Sequence, residues 1–245
     1  MELSLTQTNL SSSVGSWVAQ HPQTSRVFES LNIDYCCGGG KPLAQACLDR
    51  KLDPHQVLEK IEQVIHQIDD TTQDWLTASL SDLSDHIEQT HHAYLKTELP
   101  RLNGLIAKVV NAHGATHEEL PQIQQVFTNL HQELEPHMFK EEMVLFPAIR
   151  QLEQSQENPS FVFGTVANPI RAMEQEHDNA GDGLAQIREL TQEYAVPKGA
   201  CNTYRAMLDG LRELELDMHQ HIHKENNVLF PRAIELEESR AVAAK

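Results

Sequence analysis

The chain has 245 residues, 40% hydrophobic and 22% charged, an ordinary globular composition long enough for one large domain or for a domain with a small module. Its 19 Lys and Arg against 36 Asp and Glu leave a net charge of −17, which argues against the basic footprint of a nucleic-acid binder and against an anionic membrane surface. Aromatics at 5% and 11 glycines disfavour a β sandwich or barrel rich in Gly turns, and 14 histidines in so acidic a chain raise the question of metal.

The first residues, Met1-Glu2-Leu3-Ser4, carry no basic segment leading into an apolar core, and no stretch approaches the roughly 20 apolar residues of a membrane span. Neither a secretory signal nor a membrane partner is expected. Four cysteines are too few for a disulfide framework, which points to a reducing, cytoplasmic setting. Residues 1–70 read as a small helical module. Helical pieces are expected over 14–31 and over 42–50, the latter with Pro42 in the first turn. A third starts at Pro54, where Val57, Leu58, Ile61, Val64, Ile65 and Ile68 recur at i, i+3, i+4, i+7. The polar, aperiodic run 69–74 marks the division, giving a linker over 71–79 and a second domain over 80–245.

In that domain four long helices are expected, over 80–112, 121–152, 169–193 and 201–238. The breaks between them carry Gly, Pro, Asn and Ser. Four such helices with short connections predict an all-α four-helix bundle, and no hairpin or βαβ pattern competes.

The bundle repeats itself. HMFKEEMVLFP at 137–147 and HIHKENNVLFP at 221–231 share the pattern HxxKExxVLFP, 84 residues apart. His92 and His177, each in a polar setting on the preceding helix, are 85 apart. Near-equal offsets imply two helical hairpins related by a pseudo-two-fold axis. A metal site on that axis would take matching ligands from both halves. Residues i and i+4 share a helix face with Cβ atoms about 5–6 Å apart, so His137 with Glu141, and His221 with Glu225, can each reach one ion. His92 and His177 complete one set per metal. Imidazole with carboxylate suits iron, manganese or zinc. Glutamates from two facing helices can each bridge two metals. Two divalent ions against two carboxylates leave positive charge that attracts hydroxide, oxide or an anionic ligand. A single HxxxE is usually an exposed ion pair on a charged helix. Two copies in the same VLFP setting read as a site.

The other features have plainer readings. Pro147 and Pro231 are expected to kink or end their helices, with the Leu-Phe before each packing in the core. His91 is turned about 100° from His92, and His86 about 120° from it. With His113, His117, His131, His219 and His223 they are expected to be structural or solvated. Cys47 and Cys201 read as small core residues.

The run Asp34-Tyr35-Cys36-Cys37-Gly38-Gly39 precedes His137-xxx-Glu141, Glu176-His177-Asp178 and His221-xxx-Glu225-Asn226-Asn227. The bundle so marked resembles the hemerythrin-like di-iron domain. The whole chain is similar to the iron–sulfur cluster repair di-iron proteins, the RIC (repair of iron centres) family, whose members carry this signature on a short N-terminal module. The resemblance implies a hemerythrin-like four-helix bundle behind a helical module, with His92, His137, Glu141, His177, His221 and Glu225 as iron ligands. It implies two non-haem irons per chain, oxo- or hydroxo-bridged, and repair of clusters damaged by nitrosative or oxidative stress through supply of iron. Nitric oxide reduction at the same centre, or oxygen or iron sensing of hemerythrin type, are the alternatives. The implied partners are damaged or apo iron–sulfur proteins and the diatomics nitric oxide and oxygen, with a second copy of the chain as a further candidate.

Oxygen-carrying hemerythrins have a second histidine four residues after the third-helix ligand. Here that position is Gly181, so the centre is expected to be more open and suited to iron exchange or small oxidants. Adjacent side chains point apart, so Cys36 and Cys37 are not expected to form a CxxC-type clip. They read either as one buried and one exposed thiol in a turn or as redox or iron-handling thiols, with Gly38 to Gly40 allowing close backbone approach.

Overall fold

A computed structural model describes residues 9–65 and 74–243, and the expected run 69–74 therefore lies outside the described residues except for Asp74. Among the described residues all regular structure is helical, apart from two isolated β-bridges, Ser13 to Pro42 and Phe161 to Gly164. No helix among them is long and apolar enough to cross a membrane.

The module holds α1 (Val14–Gln20), α2 (Ser25–Ser30), α3 (Leu43–Asp49) and α4 (Pro54–Ile65). Ser13 caps α1 by accepting from Ser16 N. The helix expected over 14–31 is broken at His21, whose φ of −136° and ψ of 78° leave the helical region. The cause is Pro22, which disfavours helical backbone in the residue before it and has no N–H to give. A 3-10 turn, Pro22–Thr24, bridges to α2. Trp17, Phe28, Tyr35, Leu43 and Ile61 form the module's own core.

Four rods build the bundle. The first is α5 (Leu80–Ile87) running through a π turn, Glu88–His92, into α6 (Ala93–His113). The second is α7 (Glu119–Lys140), a π turn Glu141–Leu145, and α8 (Phe146–Gln154). The third is α9 (Ala167–Leu190). The fourth is α10 (Asn202–Lys224), a π turn Glu225–Leu229, and α11 (Phe230–Ala243). The helix α6 packs on α7 and α10, α7 packs on α9, and α9 packs on α10, closing a ring. Pro147 and Pro231 do not end the helices. Each lies in the first turn after a π turn, whose widened hydrogen bonding (Phe146 N to Glu141 O, Phe230 N to Glu225 O) accommodates a residue without an N–H, and the rod continues. The third rod stops at Leu190, short of the expected 193. Gln192, Glu193 and Tyr194 all take positive φ, 50°, 59° and 59°, held by Thr191 Oγ1 accepting from Tyr194 N and by Tyr194 OH donating to Glu215.

Two apolar clusters fill the bundle. One includes Leu95 to Val109 from α6, Leu120 to Met138 from α7, and partners on α9 and α10; the other includes Leu83, Ile87, Phe146, Ile149, Ile170, Met173, Leu229 and Phe230. On every rod the donor residues, His92, His137 with Glu141, His177, and His221 with Glu225, fall where the first cluster gives way to the second. A polar layer is thereby sealed on both sides by hydrocarbon.

The module is docked on this layer. Asn227 Nδ2 donates to Cys36 O (3.0 Å) and Tyr35 O (3.4 Å), and Cys36 packs into the bundle's own core cluster. Gly39 must be glycine for this contact, since a Cβ there would stand 2.5 Å from both Asn227 Oδ1 and Tyr35 O. The described end of the expected linker is tied down too: Arg232 donates to Trp75 O (2.7 Å) and Ala78 O (2.6 Å).

Candidate metal centre

The repeated motif delivers its side chains to one place. His92, Glu141, His221 and Glu225 offer donor atoms all within 4.8 Å of one another, and so do His137, Glu141, His177 and Glu225. All six residues are buried, and the two glutamates belong to both groups. Their positions follow from local structure. His92 ends one π turn, while Glu141 and Glu225 begin the other two. A π turn rotates the side chains after it relative to an α helix, which re-aims functional groups.

The contacts follow the pseudo-two-fold. Glu141 Oε2 lies 3.3 Å from His92 Nε2 and 3.4 Å from His137 Nε2, and Glu225 lies 3.1 Å from both His177 Nε2 and His221 Nε2. Phe146 stacks against His92 (5.7 Å) and Phe230 against His177 (6.0 Å), so each LFP phenylalanine is a core residue that also braces one of these imidazoles.

Both oxygens of Glu141 and Nε2 of His92 are buried without a well-formed hydrogen bond, despite their proximity. The Nε2 atoms of His137 and His177 face each other at 3.1 Å. A buried carboxylate without a partner costs several kcal/mol, roughly the full desolvation penalty of the group. Four imidazole nitrogens and two carboxylates converging on one point, with orphaned donor atoms among them, fit non-haem iron without a thiolate. Burial alone lowers the pKa of His177, but the Glu225 carboxylate overrides it and lifts the ring to about 9. Burial likewise opposes ionisation of Glu225, and His221 and His177 together hold it well below the usual carboxylate range.

A second layer orients the rings, and the sequence reading did not find it. His92 Nδ1 pairs with Glu142 (2.8 Å), itself held by Lys96. His137 Nδ1 pairs with Glu176 (2.9 Å), which also contacts Lys140. His177 Nδ1 pairs with Asn226 Oδ1 (2.8 Å). His221 Nδ1 is buried with no hydrogen-bond partner among the described residues. Beside it His91, expected to be merely structural or solvated, is buried between Asp217 (2.8 Å) and Lys224 (2.7 Å) and stacks parallel to His221 at 5.2 Å. The available signal was the lysine common to both motif copies, Lys140 and Lys224. Lys140 reaches Glu176, and Lys224 reaches His91.

The remaining histidines divide. His86 lies between Trp75 and His91, while His223 is buried with Nδ1 3.3 Å from Tyr35 O. Cys47 is buried as expected, but Cys201 is exposed, 3.3 Å from His113 Nε2. It precedes the first residue of α10, where the chain is still extended, so it has no core face to occupy. The expectation that Cys36 and Cys37 point apart is also corrected. Their Sγ atoms are 3.9 Å apart, because Asp34 accepts from Cys36 N and Gly38 N and folds the segment into a tight turn. Cys36 is buried, Cys37 is half-buried, and Cys37 Sγ approaches His177 O at 3.5 Å. A Cβ at Gly181 would meet Cys37 Sγ at 3.5 Å, so the thiol occupies the flank where an additional histidine would have stood.

Known proteins reproduce this organisation. A hemerythrin HHE cation-binding domain matches residues 87–233, and ScdA_N, a domain of unknown function, matches residues 10–65. The chain is 38% identical to the iron–sulfur cluster repair protein YtfE of Citrobacter koseri over 213 residues, covering 87% of this chain and 92% of that one. It is equally identical to the YtfE of an Enterobacter species over 221 residues, covering 90% and 96%, and to that of Escherichia coli O157:H7 over 213, covering 87% and 92%. The chain belongs to the iron–sulfur cluster repair protein family, with a hemerythrin-type cation-binding bundle behind an N-terminal ScdA_N module.

Proposed function

We propose that this chain holds two irons between His92, His137, Glu141, His177, His221 and Glu225, and supplies iron to damaged iron–sulfur clusters in the cytoplasm. The observation that carries the reading is the sharing of Glu141 and Glu225 between two four-residue donor groups. Glu141 and Glu225, each with two carboxylate oxygens, would be common to both ions, with His92 and His221 holding one and His137 and His177 the other. When bound, the pair supplies a releasable store of iron and open coordination for small ligands such as nitric oxide.

The chain's own residues set how firmly that store is held. The sealed apolar layers exclude water from the donors. Glu142, Asn226 and Glu176 fix the imidazole tautomers by binding Nδ1 and leaving Nε2 for metal. Hard carboxylate donors favour ferric iron, so reduction loosens the store. Gly181 adds no further donor. Recovery of activity in a damaged dehydratase, with a chelator competing for free iron, tests the reading. The expected result is faster recovery with reduced protein than with oxidised protein. No recovery alongside catalytic nitric oxide turnover would move the function to nitric oxide reduction.

A further inference from the structure

A cleft of about 1040 Å³ opens between the module and the flank of α9 and α10, and Cys36 and Cys37 form part of its wall. Cys37 is the half-buried member of the pair. It also lines a smaller cavity of about 360 Å³. The larger space is at the upper end of the range for small-molecule sites, roughly 300–1,000 Å³.

The cleft presents uncommitted charge of both signs. Arg26 and Arg212 line it and make no ion pair among the described residues, while Arg50, which lines it too, lies in the field of the Asp49 carboxylate. Arg188, by contrast, is engaged by Glu215 and Glu193. On the α9 side Asp178 and Asp182, four residues apart, line the cleft around Gly181 and also make no ion pair among the described residues. Free guanidinium groups call for carboxylates, and free carboxylates call for an ammonium. A thiol in the wall between them calls for sulfur. A single class of small molecule carries all three, an amino-acid-derived thiol with carboxylates at its ends.

We infer that this cleft binds a zwitterionic, amino-acid-derived peptide thiol with carboxylates at both ends and that Cys37 exchanges with its disulfide form. The step balances without another electron carrier. The Cys37 thiolate attacks one sulfur of the peptide disulfide, the peptide S–S bond breaks, and a Cys37–peptide S–S bond forms. One peptide half leaves as its thiolate. Cys37 is oxidised and the departing half is reduced. Cys36 is buried and bonded to Asp34 Oδ1 at 3.2 Å, so it is not the group that meets the incoming sulfur. Cys37 Sγ lies against Gly181, where a Cβ would meet it at 3.5 Å, and the cleft beyond it gives the attached peptide its seat. The inference goes beyond iron supply and does not require the iron site.

The test uses the full chain and three disulfides: oxidised glutathione, the neutral bis(2-hydroxyethyl) disulfide and the dicationic cystamine. Adducts at Cys37 and at the exposed Cys201 are followed in time by peptide mass spectrometry, with iron content measured alongside. Cys37 should react with oxidised glutathione about tenfold faster than with either other disulfide, the low end of electrostatic steering, while Cys201 shows no such preference. The double variant Arg26→Gln and Arg212→Gln should remove that preference at Cys37 and leave Cys201 and iron content unchanged. Equal rates for the three disulfides in the parent chain would overturn the inference, as would an adduct confined to Cys201. Because the first comparison needs no substitution, it holds whatever the variants do. Normal adduct chemistry in a chain without iron would leave this inference standing while the iron reading fell.

Discussion

The two helical hairpins of the bundle carry the same donors and different supports. The offset of 84 to 85 residues maps His92 onto His177, His137 with Glu141 onto His221 with Glu225, and Phe146 onto Phe230. The same offset maps Glu142 onto Asn226 and Glu176 onto His91. The first hairpin's imidazoles are therefore backed by carboxylates, each neutralised by a lysine. The second hairpin's are not: His177 has a neutral amide, and His221 has a parallel imidazole stacked on it in place of an Nδ1 partner. A carboxylate on Nδ1 raises the basicity of the ligating nitrogen, and an amide does so less. Each donor group combines one strongly backed histidine with one weakly backed one. The layout teaches that the repeat keeps the inward donors the same in both halves while the residues behind them differ, and under the proposed function that difference would loosen retention of iron.

The largest effect tests what the halves share. Glu141→Ala and Glu225→Ala should each lose most bound iron, because each removes a donor from both groups, whereas His223→Ala should retain it. Metal analysis of the purified variants decides, and full retention in both glutamate variants would remove the basis for a shared site. The next effect tests what differs. Glu142→Asn and Glu176→His, which make the first hairpin resemble the second, should each weaken iron binding about tenfold, and Asn226→Glu should strengthen it, within the 10–100-fold span typical of outer-shell changes. Chelator competition measures all three, and equal affinities would mean the asymmetry is idle.

A third and smaller effect concerns the module. Gly39→Ala forces a Cβ against Asn227 and a backbone oxygen, so it should destabilise the chain by about 1–3 kcal/mol, in the ordinary range for a steric insertion. Loss of the module's protection from proteolysis before the bundle unfolds would be the accompanying sign. The smallest effect lies at the far end. The hydrogen bond from His113 lowers the Cys201 thiol to about 7. A lowered pKa keeps the thiolate present to lower pH, so alkylation of Cys201 should be half-maximal near pH 7 and its reactivity should persist below that of an ordinary thiol. His113→Ala should move the midpoint upward.

The sequence pattern reached some of this and not the rest. The i, i+4 repeats specify which faces of α7 and α10 meet, so the repeated motif locates four of the six inward donors, and the 85-residue offset between His92 and His177 points to the other two. It reads less well wherever an element departs from the α period. Reading Pro147 and Pro231 as kinks or ends assumes α hydrogen bonding, whereas two π turns absorb the prolines and set the aim of Glu141 and Glu225. The 100° rotation of His91 from His92 bears only on direct ligation and says nothing about the ring behind His221. The pairing of Cys36 and Cys37 depends on Asp34 closing a turn and on Asn227 gripping two carbonyls 191 and 192 positions away in sequence, long-range contacts without periodicity. Cys201 was misjudged from composition, since a cysteine at a helix entry has no buried face.

Mössbauer spectroscopy with metal analysis, on full-length protein purified without oxygen and then oxidised, asks whether two irons share the two glutamates. Two irons per chain forming one antiferromagnetically coupled pair is the expected result. A single iron per chain, or two irons that behave magnetically as isolated ions, would contradict it.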